Sequence, residues 1–313
     1  MKIVCLGDLH LLWDKPIARR DDAHQVQKKK VKFVMDWAMR HRAIVIQPGD
    51  FFDTARSWHL TSAYSSFFSR YKHHDGVSVN AIFGQHDTYM YSERTRNATG
   101  LGVLIANDLV NLLNDEPTGF DGVHVYGASF GQDIPEVRDK DKLNVLAVHK
   151  MIVDEKLWPD QEDYIYAEDF LEEYMDYDLI ICGDCHRRYN FMRKGRIILN
   201  SGPLFRKEAD DYNLNKARPG FYIYDTDDRN LDFVEVPHEP ADKVLSRAHL
   251  DRQEEANEAM EEFINSINFT EVGEKNKNKN VDFISNLVGF LERNEMEQGV
   301  KDILSELMDE EIK

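Results

Sequence analysis

The sequence predicts an α/β fold in which two β-sheets pack against each other, helices flank the sheets, and a small helical extension follows at the C-terminal end. Short apolar runs alternate with helical patterns from residue 1 to about residue 238, as in layered α/β folds. The strand-like runs from residue 196 onward have no helical pattern between them, which favours a second sheet built from hairpins. Beyond Pro240 the chain changes to long, acidic, helix-prone segments. A chain of 313 residues can bury a core of this kind.

Each predicted strand is a short apolar run bounded by turn residues. A helical pattern at residues 21–40 places Val34 and Trp37 on one face, and a second helical pattern occupies residues 61–71. The predicted strands occupy residues 2–6, 43–47, 77–83, 123–126, 144–148, 179–182, 196–200, 220–224 and 231–236.

The C-terminal part of the chain has a different organisation. We assign residues 1–240 to the main domain, residues 241–273 to a reduced helical capping element, and residues 274–313 to a linker and acidic helices for partner binding. The polar segment 274–280 is of low complexity. Two interpretations stay open for these helices: they pack on their own domain, or they form a docking surface for a partner protein. Helical patterns run over residues 241–268, 281–294 and 298–312.

The formal net charge of -18 argues against a free-standing nucleic-acid binder, because neutralising phosphates requires clustered lysines and arginines. Half of this excess lies in residues 241–313, which contain nine basic and eighteen acidic residues, so the rest of the chain can still present basic patches. The first residues do not resemble a signal peptide, and no apolar run has the length of a membrane span. We therefore expect a soluble, cytoplasmic protein.

Several predicted strands end in glycine followed by an acid or a histidine. Ligands of α/β proteins bind at the carboxyl ends of strands, so these side chains are expected to converge. Taken singly, each motif is more often a solvent-facing acid or a core histidine, whereas five in order indicate a shared site. Their oxygen and nitrogen donors suit manganese, iron or zinc, and their number suits two ions sharing a carboxylate. The motifs are GDLH with Asp8 and His10, GDFFD with Asp50 and Asp53, GQHD with His86 and Asp87, the single His149, and GDCH with Asp184 and His186.

The stretch around GDCH has other interpretations. Its sequence CGDCH matches the signature that attaches c-type haem, and Cys182 and Cys185 could form a redox pair. Haem attachment and stable disulfides belong to export compartments, for which no signal is visible. We expect both cysteines to be small buried hydrophobic residues, and Asp184 and His186 to carry the chemistry.

Together, the five motifs resemble those of the calcineurin-like metallophosphoesterases, in which they read GDxH, GDxxD, GNHD, H and GHxH. The match spans roughly residues 1–200. Within it, GDFFDT, the arginine-containing helix after the first motif, and GDCHRR followed by a strand and NSGP are similar to the SbcD-type DNA repair nucleases. The resemblance implies a two-sheet metallophosphoesterase sandwich with a two-metal site.

The resemblance also implies a role for each motif residue. His86 would lie near the leaving oxygen as proton donor or orienting group, and Asp53 or Asp87 would orient its imidazole. Gln85 replaces the usual Asn and Asp184 the usual His, which makes the second metal site harder and favours manganese, with magnesium possible. The alternative is a decayed second site, in a one-metal or inactive protein. The implied ligands are Asp8, His10 and His186 for one metal, Asp50 as the bridge, and Gln85, His149 and Asp184 for the second.

The narrower resemblance implies a DNA exonuclease and single-strand endonuclease of recombination and repair. It would work with an SbcC-type coiled-coil ABC ATPase, usually as a homodimer. Several basic residues near the motifs, Lys207 among them, are candidate phosphate anchors, and for most of them ordinary surface charge is the alternative. We expect Arg187, Arg188 and Arg206 to contact DNA. Two alternatives stay open: a generic small-substrate phosphodiesterase or phosphatase, and a recombination scaffold without turnover.

Overall fold

The computed structural model describes residues 1–72, 76–252, 257 and 260, and the chain divides into two units, Met1–Ser246 and Arg247–Lys313. The strands of the first unit are β1 Lys2–Cys5, β2 Ile44–Gln47, β3 Val79–Ala81, β4 Asn111–Leu112, β5 Thr118–Phe120, β6 Val123–Ala128, β7 Leu143–His149, β8 Ile152–Val153, β9 Ile165–Tyr166, β10 Leu179–Gly183, β11 Tyr189–Arg193, β12 Arg196–Asn200, β13 Gly220–Asp225 and β14 Leu231–Glu235. Its α-helices are α1 Ala23–His41, α2 Trp58–Arg70, α3 Gly100–Ala106, α4 Ala167–Glu173, α5 Asp211–Asn215 and α6 Ala241–Val244.

Two six-stranded mixed sheets form the framework, which confirms the predicted α/β class. The strand order is β14-β13-β1-β2-β3-β4 in the first sheet and β11-β12-β10-β7-β6-β5 in the second. Strands β1 to β4 run parallel, and so do β6, β7, β10 and β12. All nine predicted strands are present. The remaining strands are short or rich in polar residues, so no apolar run reveals them.

The late hairpin lies in a different sheet from the one predicted. Strand β12 joins the second sheet beside β10, but β13 and β14 return to the first sheet, where β13 pairs antiparallel with β1. Strand β1 has β2 on one side only, so its other edge would expose unpaired backbone groups without β13. The hairpin therefore closes the edge of the sheet that carries the first motif.

One hydrophobic core lies between the two sheets, and helices cover both outer faces. In β1, Ile3 and Cys5 belong to the inter-sheet core, together with Val145 and Ile181 of the second sheet. Val4, between them, points to the opposite face and packs with residues of α1 and α2. A third core between the second sheet and α4 includes both Cys182 and Cys185. The result is four layers, with the two sheets inside.

Capping residues explain where the helices begin. Asp22 accepts a hydrogen bond from the Gln25 backbone N–H at the start of α1. Helix α2 begins three residues before the predicted start, because the Ser57 side chain accepts from the Leu60 backbone N–H.

The predicted helix at residues 241–268 is interrupted. It is helical at Ala241–Val244, extended at Leu245 and helical again from residue 248 to 252. Residues 253–256 and nearly all of 257–313 lie outside the described residues, and with them the predicted linker and the two last helices. Within the described part, no helix is long and apolar enough to span a bilayer.

Candidate active site

The motif residues meet at the carboxyl ends of five parallel strands. Asp8 and His10 follow β1, Asp50 follows β2, Gln85 follows β3, His149 ends β7, and Asp184 and His186 follow β10. They surround a cavity of about 390 Å³. Sequence reasoning predicted this convergence, because strands of one direction deliver their ends to one edge of a sheet. The motif residues that line the cavity are His10, Asp50, Gln85, His86, Asp184 and His186.

Asp8, His10 and His186 form one group of donor atoms. One ligand atom from each lies within 4.8 Å of the other two. His10 Nε2 and His186 Nε2 are 3.0 Å apart, and His186 Nε2 is 3.5 Å from Asp8 Oδ2. Two imidazole nitrogens and a carboxylate that face one point are the donor set of a divalent transition metal.

Asp50 stands between this group and a second one. Its Oδ1 accepts a hydrogen bond from the His86 backbone N–H at 2.9 Å. Its Oδ2 is 3.6 Å from His10 Nε2 on one side and 3.5 Å from His149 Nε2 on the other, both long for hydrogen bonds. A carboxylate oxygen between two imidazoles of opposite groups has the position of a bridging ligand.

The resemblance assigns Gln85, His149 and Asp184 to a second group, and two of these residues are in direct contact in the structure. Gln85 Nε2 donates to Asp184 Oδ1 at 2.7 Å, which leaves Gln85 Oε1 as the ligand atom. The His149 Nδ1 contacts the Pro48 carbonyl at 2.6 Å; a proton there leaves Nε2 free as the ligand atom. Within the described ranges, the buried atoms Asp50 Oδ2, Gln85 Oε1 and His149 Nε2 have no hydrogen-bond partner.

The three unpartnered atoms indicate whether the residues of the site suit a metal ion. Burying an acceptor without a partner costs about 1–3 kcal/mol. Three such atoms in one place, with a carboxylate beside them, are explained if a cation completes them. Asp8, His10 and His186 therefore fit one divalent cation, and the unpartnered atoms of Asp50, Gln85 and His149 are donors that a second cation could use.

Charges in the site follow from burial and from the crowding of acids. Burial, and then the neighbouring Asp50 and Asp184, raise the pKa of Asp8 well above its usual value. Burial lowers the pKa of His149, but contact with Asp50 and attraction by Asp8 outweigh it and raise this pKa to about 10. Burial raises the pKa of Asp50, but His149 and His10 lower it to about 2. Several carboxylates crowded into one buried place favour a cation between them, and this is the electrostatic condition for a metal site.

The backbone of the motifs is held in unusual conformations. His10, Asp50 and Asp184 all have positive φ, at 41°, 52° and 80°. Such conformations cost free energy in residues other than glycine and concentrate at functional sites. The motif glycines allow close approach: a Cβ on Gly84 would lie 2.1 Å from Asp50 Oδ1, and one on Gly183 would lie 2.5 Å from His149 Nδ1.

His86 lies at the edge of the site. Its Nδ1 is 3.1 Å from the Asp53 backbone carbonyl, and its ring meets the His10 ring edge to face at 4.9 Å. Among the described residues, His10, Asp53 and His86 each place a donor atom within 4.8 Å of the other two, but the Asp53 carboxylate makes no hydrogen bond to His86. It lies 3.3 Å from His10 Nδ1 and accepts from Lys207 Nζ at 2.7 Å. Asp53 thus orients His86 through its backbone and His10 through its side chain.

The proposed alternative orienting residue, Asp87, has another role. Its buried carboxylate accepts hydrogen bonds from the backbone N–H groups of Phe51, Phe52 and Gly84, at 2.9 to 3.0 Å. Through these three hydrogen bonds, the carboxylate joins the loop after β2 to the loop after β3. Asp87 therefore positions the two motif backbones rather than the imidazole.

The three arginines that we expected to contact DNA occupy different environments. Arg187 lines the cavity and donates to the Leu157 carbonyl at 3.1 Å. Arg188 lies 4.1 Å over the Phe233 ring and lines a neighbouring surface depression. Arg206 is buried, with its guanidinium bonded to the Glu239 carbonyl, so it is not available to a phosphate. The expectation for Arg206 is corrected, because tertiary packing encloses this side chain.

Lys207, one of the candidate phosphate anchors that were not favoured from the sequence, lies in the site. It lines the cavity and pairs with Asp53, 154 residues away in the chain. The cavity wall also includes Trp158 and Phe205, which lie in no motif. No local pattern marks these residues, since their role depends on partners that are distant in sequence.

The cysteines are buried and unpaired, as we expected. Cys5, Cys182 and Cys185 carry free thiols. Burial raises the pKa of Cys185 to about 12 and that of Cys182 further, so both stay protonated near neutral pH. Protonated, inaccessible thiols are poor redox groups, which argues against a redox pair.

Two of three comparisons with known proteins found a match. The sequence profile described as calcineurin-like phosphoesterase matches residues 1–188. Among proteins with curated descriptions, none matches the chain. A solved structure of a single mutant of Vps29 from Entamoeba histolytica is 14% identical, with a TM-score of 0.34, and the match covers 76% of this chain and 100% of that one.

Proposed function

Because the chain belongs to the calcineurin-like phosphoesterase family, we propose that it is a metal-dependent nuclease that hydrolyses the phosphodiester bonds of DNA. The observation that carries this proposal is the set of buried, unpartnered donor atoms on Asp50, Gln85 and His149, beside the Asp8, His10 and His186 group.

The proposed metal sites divide the donors into two sets. Asp8, His10 and His186 would hold the first cation, Gln85, His149 and Asp184 would hold the second, and Asp50 would serve both. Bound divalent cations supply Lewis-acid polarisation of the phosphoryl group. The oxygen donors of Gln85 and Asp184 make the second site hard, so we propose manganese, with magnesium as the substitute.

His86 is proposed as the proton donor to the leaving oxygen. The Nδ1 proton is held by the Asp53 carbonyl, so in the imidazolium form the second proton is on Nε2. Transfer of that proton to the leaving oxygen leaves the neutral imidazole protonated on Nδ1. The backbone N–H of His86 holds Asp50, so the imidazole and the bridging carboxylate keep a defined separation. Lys207 holds the Asp53 carboxylate against His10 and fixes that ring.

We propose DNA as the substrate because basic side chains lie beside the metal-binding residues, although the protein as a whole is acidic. Arg187 and Lys207 line the cavity and can contact phosphates next to the scissile bond. Arg188 extends this surface beyond the cavity. We propose exonuclease and single-strand endonuclease activities.

The partners are proposed from the resemblance to the SbcD-type nucleases. An SbcC-type coiled-coil ABC ATPase would bind the acidic segment at residues 274–313, and the protein would form a homodimer in the cytoplasm. Affinity for DNA would then come from the metals, a few anchors and the partner, which suits a net charge of -18.

The test is hydrolysis by the pure protein with manganese, of a linear duplex, a single strand and bis(p-nitrophenyl) phosphate. We expect nucleotide release, reduced at least about 100-fold in Asp50→Asn, because one carboxylate serves both cations. Asp133→Asn, which alters an exposed acid, is the matched control. Turnover of the small ester alone would indicate a generic phosphodiesterase. Silence on all three substrates, with and without the ATPase, would indicate a scaffold.

A further inference from the structure

A second cleft opens beside the active site. It has a volume of about 400 Å³, within the roughly 300–1,000 Å³ range of small-molecule sites. Gln85 and His86 line both this cleft and the metal cavity, so the two are continuous across the imidazole. The far wall consists of Arg56, Tyr89, Met90 and Tyr91. None of these four residues takes part in the metal site.

The wall exposes apolar and aromatic side chains to solvent. Tyr89 is 47% exposed, Met90 77% and Tyr91 69%. Three consecutive exposed side chains of this kind, next to a polar active site, mark a binding surface more often than ordinary surface.

The backbone that presents them is held in a costly conformation. Met90 and Tyr91 both have left-handed φ, at 53° and 54°. Two successive left-handed residues other than glycine persist only where the surroundings hold them. The Thr95 hydroxyl does so: it accepts from the Tyr89 backbone N–H at 2.9 Å and contacts the Ser92 carbonyl at 2.7 Å. The turn is therefore a preorganised support for its side chains.

The cleft combines this surface with a positive charge. The Arg56 guanidinium lies over the Tyr89 ring, 4.3 Å from its centroid, which leaves its N–H groups at the periphery. The Tyr91 ring lies 6.5 Å from the Phe130 ring, and most of its surface is free. An aromatic face beside an arginine is the combination that binds an unpaired base and its phosphate.

We propose that this cleft binds the nucleotide on the leaving side of the scissile bond, with its base stacked on Tyr91 and its phosphate near Arg56. The leaving side follows from His86, the proposed proton donor, which forms the boundary between the two cavities. The inference rests on the proposed nuclease function and narrows its substrate. A base can stack on Tyr91 only after it has separated from the neighbouring bases of its own strand. Single strands and frayed ends are therefore preferred as substrates over intact duplex.

The test compares a short oligothymidylate with an abasic oligonucleotide of the same length and charge. Fluorescence anisotropy in EDTA gives the dissociation constant of the full-length protein for each, without cleavage. We expect tighter binding of the oligothymidylate, and a loss of roughly 5- to 150-fold in this preference in Tyr91→Ala, the range that base stacking gives. Tyr91→Phe keeps the ring and should keep the preference. Tyr166→Ala, at an exposed tyrosine outside both cavities, is the matched control.

Equal dissociation constants for the two oligonucleotides, or a preference that Tyr91→Ala leaves intact, would overturn the subsite. A parallel measurement of oligothymidylate cleavage with manganese tests the proposed function separately. If the wild type cleaves DNA but shows no dependence of binding on Tyr91, only the subsite is wrong. If binding depends on Tyr91 but no diester is cleaved, the cleft binds a base, but the proposed hydrolysis and the assignment of the cleft to the leaving side are both wrong.

Discussion

Gln85 and Asp184 are the two residues that depart from the family motifs, and they contact each other. The amide of Gln85 donates to the Asp184 carboxylate at 2.7 Å, although 99 residues separate them. The longer side chain at one position is thus accommodated by the shorter, anionic one at the other. The departures are therefore one coupled change and not two separate losses.

This coupling predicts a compensating pair of substitutions. Gln85→Asn alone shortens the arm and loses the contact, and Asp184→His alone removes the acceptor, so each should lower kcat/KM with manganese by roughly tenfold or more. The double variant recreates the usual pair and should recover activity, with a coupling of about 0.5–3 kcal/mol in a double-mutant cycle. Additive losses would contradict the coupling. A gain of activity in Asp184→His alone would favour a decayed second site.

His86 allows a test that separates proton donation from metal binding. His86→Gln should lower kcat on an oligonucleotide by about 10²–10⁴-fold, because the alkoxide leaving group needs a proton. The loss on bis(p-nitrophenyl) phosphate should be far smaller, since p-nitrophenolate leaves without one. Stabilisation by manganese in thermal unfolding serves as the control for an intact metal site. Equal losses on both substrates would assign His86 another role.

At the scale of elements, the site depends on how the loops after β2 and β3 are joined. The Asp87 carboxylate binds three backbone N–H groups, two from the loop after β2 and one from the loop after β3. The bonds fix the loop that carries Asp50 relative to the loop that carries Gln85. The position of the metal donors therefore depends on Asp87, whose carboxylate binds backbone groups of both loops.

Substitution of Asp87 should therefore destabilise the fold. Asp87→Ala leaves three buried N–H groups without an acceptor, which we expect to lower the free energy of unfolding by at least about 3 kcal/mol. Asp87→Asn keeps one oxygen and should lose less. Urea unfolding measures both, with Asp133→Ala as an exposed control. A change below about 1 kcal/mol in Asp87→Ala would show that water or rearranged loops satisfy these groups.

At the scale of the whole molecule, a buried lysine links α1 to the chain after β12. Lys30 is 5% exposed, and its Nζ donates to the Leu204 carbonyl at 2.8 Å. Burial, and then the charges of Arg206 and Arg19, lower the pKa of Lys30 to about 7. Between this value and the ordinary pKa of 10.5, the unfolded chain holds a proton that the folded protein has released.

The stability contribution of Lys30 should therefore rise with pH. The wild type should gain free energy of unfolding relative to Lys30→Met between about pH 7 and pH 10, with a slope difference of at most about 1.4 kcal/mol per pH unit. Chemical unfolding at several pH values measures this difference. Lys32→Met, at an exposed position on the same helix, should leave the slope unchanged. Parallel profiles for the wild type and Lys30→Met would contradict the lowered pKa.

The sequence by itself determined the strands and the residues at their ends. Nine strands and the motif positions of Asp8, Asp50, His149 and His186 could be predicted, because apolar runs and the turns that follow them are local properties. Their convergence also followed, since parallel strands end at one edge of a sheet.

Only the tertiary structure decided which distant residues meet. In the folded protein, the β13–β14 hairpin pairs with β1 and Arg206 is enclosed. Lys207 contacts Asp53, from which 154 residues separate it in the chain. It also presented Tyr91 beside His86 in a single cleft. Each of these depends on packing between segments far apart in the chain, where side-chain contacts and burial, rather than local periodicity, fix the outcome.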